Sequence, residues 1–140
     1  DLFLPKHKAK GVMVFVHGGY WLKFGRSDFS YFAAGGVARG WAVAVPSYDL
    51  CPQVRISDIT RQISNAVSLA ANMVAGPIHI TGHSAGGHLS ARMTSPGVLP
   101  TGIAGRVKRA VPISPVSDLR PLRKTVMNQH FQMTQCTYFF

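Results

Sequence analysis

The order of apolar segments predicts an α/β fold, a mostly parallel sheet with helices on both faces. Three observations carry this. Short apolar runs rich in β-formers recur at 12–16, 41–45, 78–81 and 109–114, the pattern of strands buried on both faces. Between the second and third, Ile56, Ile59, Ile63, Val67, Ala70 and Val74 return at steps of three and four, which gives a helix a single apolar face. The breaks fall at Gly40, Pro46 and Gly76-Pro77, residues that stop helices and strands.

Taken in order, Leu2-Phe3-Leu4 before Pro5 reads as the end of a strand. Val12-Met13-Val14-Phe15-Val16 is a buried strand. Ser27 and Asp28 are N-cap candidates for a helix to about Arg39, which Gly40 ends. Trp41-Ala42-Val43-Ala44-Val45 is the next strand, stopped by Pro46. After the amphipathic helix comes Ile78-His79-Ile80-Thr81, a strand in which His79 reads as structural. A helix is expected from about Gly87 to Thr94, with His88 packed or hydrogen-bonded in its first turn. Arg109 to Ser114 forms a further strand. From about Lys124 the pattern degrades. We therefore expect a partial domain over 1–133, cut after the strand near 109–114, and an unreadable tail over 134–140.

The 140 residues suffice for one core, and 46% hydrophobic against 14% charged content excludes a disordered chain. No apolar run reaches the roughly 18 residues that would cross a bilayer, so no membrane span is expected. With no signal peptide visible, a cytoplasmic location is expected. The net charge is +10, without a single Glu. The basic residues cluster in small groups (Lys6, Lys8, Lys10; Arg106, Lys108, Arg109; Arg120, Arg123, Lys124). They form no helical stripe and do not interleave with aromatics, so no nucleic-acid partner is expected. Cys51 and Cys136 are far apart and lack CxxC spacing, which suits reduced thiols, with Cys51 a buried structural one. No His/Cys/Asp/Glu cluster has metal spacing, and we expect neither a metal nor a cofactor.

Two motifs carry chemistry. Gly82-His83-Ser84-Ala85-Gly86 lies between a strand and a helix. A serine at the apex of such a turn presents its hydroxyl above the sheet, and the turn is too sharp for flanking Cβ atoms. His17-Gly18-Gly19-Tyr20-Trp21 follows the strand at 12–16. Its glycines let backbone N–H groups turn toward a neighbouring pocket, where they would hold an oxyanion.

With both motifs in this order, the chain resembles the α/β-hydrolase family, in its esterase/lipase branch. The HGGYW form is similar to kynurenine formamidases (arylformamidases) and their bacterial esterase-like relatives. Ser47-Tyr48-Asp49-Leu50-Cys51-Pro52 stands where related esterases carry Tyr-Arg-Leu-Ala-Pro, and Ile113-Ser114-Pro115-Val116-Ser117-Asp118-Leu119 resembles the strand and loop after the nucleophile helix. The resemblance implies Ser84 as nucleophile, with Gly18, Gly19, Tyr20 and Ala85 as oxyanion-hole backbone. It implies a small ester or N-formyl aryl amide as substrate. It places the acid and the base on later strands, so the chain is expected to hold only the first part of the fold.

The remaining candidates have competing readings. His17 is a loop-shaping residue in preference to a base. Tyr20 and Trp21 either wall the acyl or aryl pocket or, for Trp21, pack under the loop. His83 adjoins the nucleophile as a pocket candidate. Asp118, the only acid after Ser84, anchors its own loop or serves as triad acid, with His130 then the base. If later strands are absent, the unpaired sheet edge is expected to favour self-association.

Overall fold

A computed structural model describes residues 1–133; the tail expected over 134–140, with Cys136, lies outside the described residues. The described residues form a five-stranded sheet in the order β1-β3-β2-β4-β5. The strands are β1 (Leu2–Phe3), β2 (Val12–Val16), β3 (Ala42–Ala44), β4 (Ile78–His83) and β5 (Val107–Ile113). β1 runs antiparallel to β3, and the other pairs are parallel. In register, Val12 lies beside both Ala42 and Ile78. The strands therefore start at one end of the sheet, and the loops that follow them gather at the other.

Side chains alternate across β2, and the core divides accordingly. Val12, Val14 and Val16 pack with α2 (Ile56–Met73) and α3 (Ala85–Arg92). Met13 and Phe15 pack on the other face with Val43, Val45 and residues of α1 (Ala33–Ala38). Helices thus cover both faces, as the alternation of segments predicts. All six residues of the expected α2 face are buried, with Ile59, Ile63 and Val67 fully so.

Three local expectations are corrected. Ser27 and Asp28 do not cap an α-helix; Arg26–Phe32 is a 3-10 helix, and only Ala33–Ala38 is α. Asp28 sits inside the first turn, where its carboxylate accepts the Gly25 N–H at 2.9 Å. Gly35 and Gly36 each weaken an α-helix by about 1 kcal/mol. Gly36 also packs so closely on β3 that a Cβ there would lie 2.6 Å from Val43 Cγ2. The strand expected at 41–45 pairs only over Ala42–Ala44. Finally, β4 runs on to His83 and α3 starts at Ala85, so Ser84 alone makes the turn.

Candidate active site

The loops after β2, β3, β4 and β5 meet around Ser84. This residue holds φ 56° and ψ −117°, a conformation that costs a non-glycine residue roughly 1–3 kcal/mol. Three backbone bonds maintain it. The Ser84 N–H donates to Ile113 O at 2.9 Å, and Ser84 O accepts from the N–H groups of His88 at 3.0 Å and Val116 at 3.3 Å. The two motif glycines are sterically required. A Cβ on Gly82 would overlap Gly86 O, and one on Gly86 would overlap the carbonyl oxygens of Val16 and His17.

Gly18 brings the second motif against the first. A Cβ there would lie 2.8 Å from His83 O and 3.3 Å from Ser84 Cβ. Gly19, Tyr20 and Trp21 follow at φ 107°, 54° and 58°, a left-handed run that folds the loop back on itself. Among the described residues, the backbone N–H groups of Gly18, Gly19, Tyr20 and Ala85 donate to no protein acceptor. Ala85 opens α3, so its N–H also lies at the positive end of the helix dipole. Unspent donors gathered beside a raised serine are suited to stabilising negative charge on a substrate oxygen.

His17 is fully buried. Its ring stacks on Tyr48 with centroids 4.2 Å apart, and on Phe29 at 5.6 Å. Its Nδ1 lies 2.8 Å from Gly18 O; a carbonyl can only accept, so Nδ1 carries the proton. Burial holds this histidine below its usual range. It shapes the loop, and its Nε2 is buried with no hydrogen-bond partner among the described residues. Trp21 is fully buried under the loop, edge-on to His88 at 5.4 Å and to Phe131 at 5.6 Å. Tyr20, 42% exposed, is the aromatic residue of the motif that faces outward. His83 is exposed beside Ser84.

Asp118 is exposed and committed locally. Its carboxylate accepts the Arg120 N–H at 2.9 Å and pairs with the Arg120 guanidinium at 2.8 Å. Hydrogen bonds from that side chain, then from the Arg120 backbone, hold its carboxyl below the ordinary range. His130 is exposed on a short helix, Asn128–Phe131. Among the described residues, Ser84 Oγ has no histidine or carboxylate hydrogen-bond partner. No group of three or more His, Cys, Asp or Glu residues among them could hold a metal ion. Cys51 is buried, and desolvation pushes its thiol up to about 11. His79 tilts against Trp41 at 4.4 Å.

Tyr48 has no role that the sequence pattern assigns. Its hydroxyl donates to His17 O at 3.0 Å and approaches Gly18 O at 3.4 Å. The only available signal was an aromatic residue a few positions beyond a strand, and nothing local ties it to a loop 30 residues earlier.

His88 supplies a pH dependence. Burial, then the charge of Arg92, lowers its pKa to about 4, against about 6.5 in an unfolded chain. Between these values the unfolded chain binds a proton that the native chain does not, so stability falls as pH drops from 6.5 toward 4. The whole interval is worth on the order of 3 kcal/mol. Melting temperature should already decline between pH 6.5 and 5, above the carboxylate range, and His88→Gln should reduce that slope, leaving the part that buried His17 supplies.

A mostly parallel sheet with helices on both faces, a serine held at positive φ between strand and helix, and a glycine loop against it define an α/β-hydrolase fold. The chain belongs to the BD-FAE family, whose model matches residues 1–129. It is 26% identical to the kynurenine formamidase of Danio rerio, covering 96% of this chain and 47% of that protein. It is 33% identical to the Drosophila melanogaster kynurenine formamidase, covering 79% and 39%. A crystal structure from Silicibacter sp. TM1040, described as a candidate thioesterase, is 58% identical with a TM-score of 0.93, over 95% of this chain and 51% of that one. Esterase 2 of Thermogutta terrifontis shares the fold at 19% identity, with a TM-score of 0.73 over 95% and 56%. The chain spans about half the length of the curated relatives it matches. No helix among the described residues is long and apolar enough to cross a membrane.

Proposed function

We propose that this chain carries the nucleophile half of a serine hydrolase site. Ser84 attacks the carbonyl of a carboxylic ester or N-formyl aryl amide, and the resulting acyl-enzyme is released by water. The observation that carries this is Ser84 held at φ 56° against a loop of unspent N–H donors, a strained arrangement that packing alone does not call for. As the tetrahedral intermediate forms, the N–H groups of Gly18 to Tyr20 and of Ala85 receive the oxyanion. The names of the kynurenine formamidase relatives support an aryl amide, and Tyr20 offers the exposed aromatic surface for it. We assign residues 1–133 to the first part of the domain and place the chain in the cytoplasm, on its reduced-type cysteine spacing.

A second reading rests on a specific observation. Asp118 is taken by Arg120, and Ser84 Oγ has no base among the described residues. On this reading the 140-residue chain is a non-catalytic piece of such a hydrolase. Treating it with a fluorophosphonate probe beside Ser84→Ala separates the two: labelling that needs Ser84 supports the hydrolase, and equal background from both folded chains supports the piece.

Self-association belongs to the same proposal. Among the described residues β5 is an edge strand, with Val111 52% and Ile113 44% exposed. Sedimentation velocity should show association that Val111→Lys weakens. A monomer at every concentration tested would refute it.

A further inference from the structure

We propose that Tyr48 is the positioning residue of this site, acting with His17 to fix the direction in which the His17–Gly18 and Gly18–Gly19 peptides present their N–H groups. The inference rests on the reading of Ser84 as nucleophile. Its starting point is a weakness of the loop itself. Two adjacent glycines have almost no steric preference between a peptide and its flipped form. A flipped peptide would aim a carbonyl oxygen at the oxyanion site and repel the charge it should stabilise. Groups around the glycines must choose the orientation.

The Tyr48 hydroxyl is placed to do so. It donates to His17 O at 3.0 Å, with Gly18 O at 3.4 Å, and the protonated Nδ1 of His17 closes on Gly18 O at 2.8 Å. C=O and N–H point in opposite directions across a planar trans peptide. Drawing the carbonyls of residues 17 and 18 toward Tyr48 therefore turns the N–H groups of Gly18 and Gly19 the other way. The pull is durable, because burial pushes the Tyr48 hydroxyl above its ordinary pKa and keeps its proton in place.

Tyr48 is itself held from both sides. Its ring stacks on His17 at an interplanar angle of 8°. The next residue, Asp49, is tied to α2: its N–H donates to Gln62 Oε1 at 2.8 Å, and its carboxylate accepts from Gln62 Nε2 at 2.8 Å. Cys51 N–H donates to Trp21 O at 2.8 Å, so the two loops are joined again beyond the glycines. A rigid helix thus sets the aim of a glycine pair that cannot set its own.

The test is Tyr48→Phe, which keeps the ring and removes the hydroxyl. Wild type, Tyr48→Phe and Ser84→Ala are treated with a fluorophosphonate, and reversible binding is separated from inactivation. We expect the inactivation rate constant of Tyr48→Phe to fall about 10- to 100-fold, less than loss of a whole donor, with the binding constant changed by less than about twofold. The amide resonances of Gly18, Gly19 and Tyr20 should shift while those of α2 stay in place. An unchanged rate constant together with unmoved Gly18 and Gly19 resonances would overturn the proposal. If wild type is not labelled at Ser84, the hydrolase reading fails, and the amide resonances still decide the role of Tyr48. If Tyr48→Phe does not fold, the wild-type ¹³C resonance of the His17 carbonyl decides. A slowly exchanging Tyr48 hydroxyl proton that correlates across the bond with that carbonyl carbon supports donation from the hydroxyl, and its absence refutes it.

Discussion

Gly86→Ala is expected to destabilise the chain by roughly 4 kcal/mol or more, lowering its melting temperature by about 14 °C or more, or preventing folding. The alanine Cβ would overlap the carbonyl oxygens of Val16 and His17 and lie 2.6 Å from the Val16 carbonyl carbon. These are backbone atoms of a central strand and the loop leaving it. β2 is bonded on both sides, to β3 and to β4, so it cannot step back as a flexible side chain would. Gly102→Ala is the control. It lies on a short helix with no heavy atom within 4 Å of the added Cβ, and alanine there should be neutral or up to about 1 kcal/mol stabilising. Urea melts of the two variants beside wild type make the comparison. If Gly86→Ala came within about 1 kcal/mol of wild type, α3 would not be seated on β2 as closely as this geometry requires.

The same contact explains what could be read from the sequence. The strands at 12–16 and 78–81 and the helix over 56–73 are written in local apolar periodicity, which burial enforces residue by residue. Ile59, Ile63 and Val67 are fully buried because they recur at helical spacing on the face turned to the sheet, whereas Leu69 and Met73, off that face, stay 64% exposed. The elbow was legible for a different reason: a turn made by one residue leaves no room for Cβ atoms beside it, and so leaves glycines in the chain. Asp118 was legible as a loop anchor because its partner, Arg120, is two residues away. What local pattern cannot encode is pairing between distant loops. The stack of Tyr48 on His17 joins residues 31 apart, and each alone reads as an ordinary aromatic or polar residue. The 3-10 helix at 26–32 was missed because a helix start was inferred from Ser27 and Asp28, while the carboxylate closes a tighter turn from within.

Ser84→Gly should separate function from stability at one position. On the proposed reading the hydroxyl is the attacking group, so Ser84-dependent labelling and p-nitrophenyl acetate release should fall to background, as in Ser84→Ala. In enzymes with an intact triad this loss is about 10⁶-fold in kcat. Here the drop is bounded by how much activity the wild type has without a base on Ser84 Oγ among the described residues; donors and binding alone leave roughly 10³- to 10⁴-fold over water. Stability should move the other way. Alanine keeps the strain of φ 56°, whereas glycine adopts that backbone freely and should gain about 1 kcal/mol despite its greater freedom when unfolded. A glycine variant that is inert but more stable than the alanine variant would show that the fold spends stability to raise this serine above the sheet. That outcome would favour a site retained for chemistry. A glycine variant no more stable than the alanine one would mean that the surrounding bonds to Ile113, His88 and Val116 set the turn without strain, and the conformation of Ser84 would lose its weight as evidence for a nucleophile.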